Sequence, residues 1–169
     1  MIILNIYSKF HSYSFHIISI HFTFAPISIV NKQTNMQPSH IEHIGIAVKD
    51  LEAAKKYYEE VLGLSCYAVE EVKDQKVRTA FFKVGDTKIE LLESTDPEGP
   101  VGKFIEKRGE GIHHMAFAVE DVQEALNDVQ EAGCQVIDKT PRNGAEGLKI
   151  GFLHPKSTQR VLTEICGNK

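Results

Sequence analysis

The sequence predicts an α+β fold: two tandem βαβββ modules whose sheets form a shared cleft. Two observations carry that expectation. Residues 41–51 (IEHIGIAVKDL) and 112–122 (IHHMAFAVEDV) are one pattern written twice, sharing His43/His114, Ala47/Ala118, Val48/Val119 and Asp50/Asp121. After each copy the same succession of helical and strand patterns follows, with a repeat of about 70 residues, too long and too few for a solenoid.

The elements follow in order. Residues 41–48 alternate and are rich in β-branched side chains, which predicts a strand. Asp50 is placed to cap a helix, because its carboxylate can accept from backbone N–H groups two or three residues on. Leu51, Ala54, Tyr58, Val61 and Leu62 then fall on one helical stripe, and Gly63 stops it. Strands are expected at about 64–72, 76–84 and 87–92, with Gly85-Asp86 as a turn, so module one covers about 40–95. A connector over 96–110 holds Pro97, Gly99, Pro100 and Gly102 and a short helix through Phe104 and Ile105. Module two, about 111–168, repeats the order. Its strand lies at 111–119, and Asp121 caps a helix with Val122, Ala125, Leu126 and Val129 on its apolar stripe. Gly133 ends that helix, and strands are expected at about 134–138, 148–153 and 160–166.

Composition narrows the function classes. Across 169 residues, 42% hydrophobic and 25% charged side chains are ordinary for a soluble globular chain. A formal charge of -4 argues against a nucleic-acid-binding surface, and no apolar span is long enough for a bilayer. Three scattered cysteines, Cys66, Cys134 and Cys166, suit buried thiols in a reducing compartment rather than a disulfide framework. Residues 1–35 differ from the rest: they hold no Asp or Glu, and Lys9 and Lys32 are their only formal charges. Without them the chain carries 17 basic and 23 acidic side chains, a charge of -6. They read as a leader, disordered or outside the native chain, with 36–169 as a single domain. His11, His16 and His21 recur every five residues, a spacing that fits neither a helix face nor a strand face, and receive no role.

Strand alternation points to the chemistry. His43, Gly45 and Ala47 share one face of the first strand, and His114, Ala116 and Ala118 share the equivalent face of its twin. Ile44, Ile46 and Val48, with Met115, Phe117 and Val119, face the other way, toward helix and core. Small residues beside an imidazole leave room for something other than protein. The last strand of each module sets one carboxylate in an apolar run: Glu90 in Ile89-Glu90-Leu91 and Glu164 in Thr163-Glu164-Ile165. The separations match, 47 residues from His43 to Glu90 and 50 from His114 to Glu164. A lone strand Glu commonly faces solvent and a lone strand His commonly serves a neighbour. Four such residues at equivalent places of a duplicated unit form instead an N2O2 set for a divalent ion in the cleft. Oxygen and imidazole donors suit an octahedral ion with open water positions, such as cobalt, nickel, manganese or iron; of these, cobalt is the first choice. Zinc more often closes tetrahedrally. His113 points away from His114 and reads as structural, and His154 lies in a turn before Pro155.

These residues bring the chain to a family. HIGIAVKDLEAA, KIELLES, GIHHMAFAVEDV and FLHPKS followed by VLTEI resemble the vicinal oxygen chelate (glyoxalase-like) superfamily over about residues 38–168, and within it the methylmalonyl-CoA epimerase family. The paired modules indicate the superfamily, and the His-Pro-Lys turn indicates the epimerases. The resemblance implies metal ligands at His43, Glu90, His114 and Glu164, an acyl-CoA substrate, and 1,1-proton transfer at C2 of methylmalonyl-CoA through a metal-chelated enolate. A base on one face and an acid on the other are then required. Some relatives carry a second, non-ligand glutamate on the third strand, where this chain has Thr79, so Glu164 and Glu90 are the two catalytic candidates. A basic rim for CoA phosphates would draw on Lys139, Arg142, Lys149, Lys156 and Arg160, with Lys156 of the turn preferred. The resemblance implies a homodimer; the location depends on the leader and is expected to be cytoplasmic, or the mitochondrial matrix if the leader is a genuine presequence. Two alternatives are a lactoylglutathione lyase of the same superfamily, which the His-Pro-Lys turn opposes, and a metal-free binding module, which the intact quartet opposes. A ring-cleaving dioxygenase would use two histidines and one carboxylate with open positions that the second carboxylate here fills.

Overall fold

The computed structural model describes residues 33–169. The histidines of the leader and most of its other residues therefore lie outside the described part. The first module contains β1 (His40–Val48), α1 (Leu51–Glu60), β2 (Cys66–Val72), β3 (Val77–Val84) and β4 (Thr87–Ser94). The connector forms α2 (Pro100–Arg108). The second module contains β5 (Gly111–Ala118), α3 (Val122–Glu131), β6 (Arg142–Asn143), β7 (Lys149–Leu153) and β8 (Leu162–Gly167). The expected α+β class and the repeated order of elements are both present.

All eight strands join one mixed sheet, in the order β2-β3-β4-β1-β5-β8-β7-β6, curled into a half-barrel. The order is itself a repeat about its centre. β1 and β5 run antiparallel side by side, and each has the last long strand of its own module, β4 or β8, parallel on its other flank. In this register Gly45 lies opposite Glu90 and His114, while Ala116 lies opposite His43 and Glu164. The topology alone thus brings two histidines and two carboxylates onto four adjacent strands.

The helices begin where the carboxylates predict. Asp50 accepts from the Ala53 N–H and Asp121 from the Glu124 N–H, each satisfying a donor that the first turn leaves unpaired. α1 packs through Leu51 on Val48, Phe82 and Leu91, and α3 on Leu153 and Ile165 through Val122, Ala125, Leu126 and Val129. Met36 also packs against the α3 cluster. The three cysteines are unpaired, with Cys166 buried.

Three expectations differ from the structure. Val61 and Leu62 are exposed, at 66% and 49%, because α1 ends at Glu60 and the chain turns at Gly63 with φ +67° before the stripe reaches them. The strand expected at 134–138 shrinks to a single bridge, Val136 to Leu153, with β6 as a two-residue remnant further on. Asp138 takes the Phe152 N–H with its side chain, where a ladder carbonyl would have accepted it, and Pro141 has no N–H to give. The small residues on the cleft face do not leave empty space. A Cβ on Gly45 would meet the His114 ring at 2.3–2.8 Å, so the missing side chain makes room for the opposite histidine.

Candidate metal centre

His43, Glu90, His114 and Glu164 are all buried and line one cavity with Thr79 and Gln75. The histidine Nε2 atoms stand 2.9 Å apart. Glu90 Oε1 is 3.4 Å from His43 Nδ1, and Glu164 Oε2 is 3.4 Å from His114 Nε2 and 3.9 Å from His43 Nε2. The sequence-predicted quartet therefore lines one cavity, with Glu90 beside His43 Nδ1 and Glu164 beside the two Nε2 atoms, one carboxylate from each flanking strand.

The charge balance tests whether this set suits an ion. Among the described residues neither Glu90 nor Glu164 has a Lys or Arg nitrogen within 4.0 Å, so at ion-pair range the two buried carboxylates meet only imidazoles, with Lys88 and Arg142 acting from farther off. Buried charge without a partner is strongly unfavourable, and a divalent cation is the counter-charge that this donor set lacks. Donor atoms of His43, Glu90 and His114 already lie within 4.8 Å of one another. The residues fit the group.

Their titration reflects the same shortage. Burial pushes the Glu164 carboxyl up to about 7, and burial likewise raises Glu90. Burial works to lower His43, but the hydrogen bond to Glu42 and the nearby Glu90 and Glu164 charges more than offset it, so His43 is raised. His114 is held well below its ordinary value by burial first and then by the positive fields of His43 and His113. Burial alone brings His113 down to about 4.

The surroundings correct and extend the sequence reading. His113 is not directed away from the cleft: its Nδ1 lies 2.9 Å from Nδ1 of His114, and its ring stacks edge-on against Phe104. It lines an apolar cavity with Val77, Leu92, Val101, Phe152 and Leu162 that shares Gln75, Leu92 and His114 with the quartet's cavity. His154 is a turn histidine whose Nδ1 accepts from the Lys156 N–H. Of the five basic candidates, Arg142 lines the apolar cavity, with its guanidinium over the Phe152 ring at 5.3 Å and its Nε held by Asp138 at 3.3 Å. Lys156 is not among the residues lining either cavity.

Sequence reasoning missed Glu42 and Lys88. Glu42 Oε2 is 2.6 Å from Nδ1 of His43, and its other oxygen is 2.6 Å from the Lys88 Nζ. Lys88 in turn binds Glu146 of the second module. Lys88 stands two residues before Glu90, on the same side of β4, and that alternation was the available signal.

Residues 42–152 match the Glyoxalase/Bleomycin resistance protein/Dioxygenase superfamily, and the chain belongs to it. Within that superfamily it is 39% identical over 127 residues to an ethylmalonyl-CoA/methylmalonyl-CoA epimerase of Cereibacter sphaeroides, a match covering 74% of this chain and 95% of that one. It is 44% identical over 131 residues to an uncharacterized Bacillus subtilis protein, YqjC, covering 78% of this chain and 94% of the other. A Streptomyces coelicolor methylmalonyl-CoA epimerase structure, in complex with 2-nitronate-propionyl-CoA, superposes with a TM-score of 0.76 at 38% identity. That match covers 78% of this chain and 95% of the other.

Proposed function

We propose that the chain is a metal-dependent isomerase that epimerises methylmalonyl-CoA at C2 by 1,1-proton transfer. One observation carries the reading: Glu90 and Glu164 enter the cavity from strands on opposite flanks of the β1–β5 pair. Inverting a carbon centre requires proton exchange on both of its faces, and two carboxylates approaching from two sides meet that requirement. The epimerase relatives and the Streptomyces complex support the substrate class.

His43, His114, Glu90 and Glu164 would hold the ion. When bound, a divalent ion acts as a Lewis acid toward the thioester oxygen and fixes the substrate's orientation. The protein supplies the remainder. Glu164, buried on the cavity, is placed to take the C2 proton from one face while Glu90 delivers one to the other, and the two exchange roles in the reverse direction. Glu90 is the second acid/base. Thr79, at 1% exposure on the same cavity, offers a hydroxyl but no carboxylate. The apolar cavity beside His113 excludes water from the acyl group, and Arg142 at its edge offers a positive charge to the CoA portion.

The test is isotope exchange. Cobalt-loaded protein is incubated with one epimer of methylmalonyl-CoA in deuterated water, and deuterium uptake at C2 and the epimer ratio are followed. Racemisation with uptake, lost with chelator and in His114→Ala, is the expected result. Turnover of the methylglyoxal–glutathione hemithioacetal without C2 exchange would make the chain a lyase instead. The same reading places residues 36–169 in one domain that pairs as a homodimer, which sedimentation checks.

A further inference from the structure

β1 and β5 each hold one extra residue in the ladder that joins them. Between the pairs Ile41/Phe117 and His43/Ala116 the register skips Glu42, and between Gly45/His114 and Ile46/Ile112 it skips His113. In a regular strand adjacent side chains point to opposite faces, but a bulge re-aims them. Here it lets each extra residue turn toward the histidine that follows it. Glu42 reaches Nδ1 of His43 at 2.6 Å, and His113 reaches Nδ1 of His114 at 2.9 Å. The two Nε2 atoms are left facing each other.

We propose that Glu42 and His113 are positioning residues that set the tautomer of the two ligand histidines, a role resting on the reading of the quartet as a metal site. A ring that binds an ion through Nε2 must carry its proton on Nδ1, and that proton needs an acceptor. Glu42 supplies a carboxylate oxygen for His43. Glu90 is the other carboxylate near that nitrogen and stands farther off, at 3.4 Å. Glu42 is itself fixed by Lys88 on its second oxygen, and Lys88 by Glu146, so rotation away from His43 would break a three-member network. His113 supplies a ring nitrogen for His114 when its own proton sits on Nε2, and the edge contact with Phe104 holds that ring in place. The repeat thus fills its bulge with an anion in one half and a neutral ring in the other, which makes His43 the stronger donor of the pair.

The experiment uses the full chain, freed of metal and titrated with Co2+, with affinity read by calorimetry and by the cobalt absorption bands. Glu42→Ala is expected to weaken cobalt binding about 10–100-fold, and Glu42→Gln, whose amide oxygen still accepts, by less. Imidazole 1H–15N spectra of the metal-free protein, recorded at a pH high enough to leave His43 neutral, are expected to show it as the Nδ1–H form in the wild type and as a tautomer mixture in Glu42→Ala. A merely structural glutamate would lower the melting midpoint without moving that signature. If Glu42→Ala does not fold, Glu42→Gln decides, with a loss of about threefold or more expected. Cobalt affinity within twofold of wild type in the folded variants, or an unchanged His43 tautomer, would overturn the positioning role. A wild-type chain that takes up no cobalt would instead overturn the metal centre itself.

Discussion

The two modules present the same donors on differently built supports. α3 buries Val122, Ala125, Leu126 and Val129, whereas α1 fully buries Leu51 alone and leaves Tyr57 exposed. Module one has three long strands after its helix, while module two has two and a remnant. Yet His43 and His114, and Glu90 and Glu164, occupy matching register positions. The difference separates what the centre requires from what the fold tolerates. On the proposed function one ion would draw on four donor atoms and so constrain those places in both halves, while outer strands and helix faces need only bury enough apolar surface.

Removing a donor tests the sameness most severely. His43→Ala and His114→Ala are each expected to abolish measurable cobalt binding, and calorimetry showing one fully tolerated would make the halves functionally unequal. Gly45→Ala comes next, because its Cβ has no space beside the His114 ring while Ala116 already occupies the twin position. The ring must shift, and cobalt affinity is expected to fall at least about tenfold, whereas Ala116→Gly is expected to cost only about 1 kcal/mol of stability in a thermal melt.

Glu164→Gln in the metal-free protein should have an effect that grows with pH. Glu164 is raised above its ordinary value, so between about 4.5 and 7 the unfolded chain has released a proton that the native state still holds. The wild type therefore loses stability from this group as pH rises through that window. The variant is expected to melt progressively higher than the wild type from pH 4.5 to 7.5, and a gap independent of pH would refute the cause. Lys88→Met severs a link between the modules and is expected to cost about 1–2 kcal/mol in denaturant unfolding. Lys156→Ala, on the outer turn, is expected to leave stability unchanged and to raise KM for the acyl-CoA less than about threefold.

Much of this was legible in the sequence because duplication exposes function. A single His43 or Glu164 reads as an ordinary strand residue, and only the match with His114 and Glu90 made them a site. Asp50 and Asp121 were readable because a cap is a local event. Glu42 was not, because strict alternation placed it on the opposite face from His43, and a bulge is a property of two paired strands that neither shows alone. His113 was misread for the same reason. The fate of 134–138 turned on Asp138 replacing a backbone acceptor, a choice made only once β7 lies beside it.

The order of strands has a consequence for how the centre stays whole. Each half brings one imidazole and one carboxylate, so neither half alone can complete the donor set, and two separate halves would have to find each other by diffusion. Joined through the connector helix and by the β1–β5 ladder, they meet as parts of one folded molecule at any protein concentration. The integrity of the site is then insensitive to dilution, and an ion bound there would act as a clasp between halves that the chain already keeps within reach.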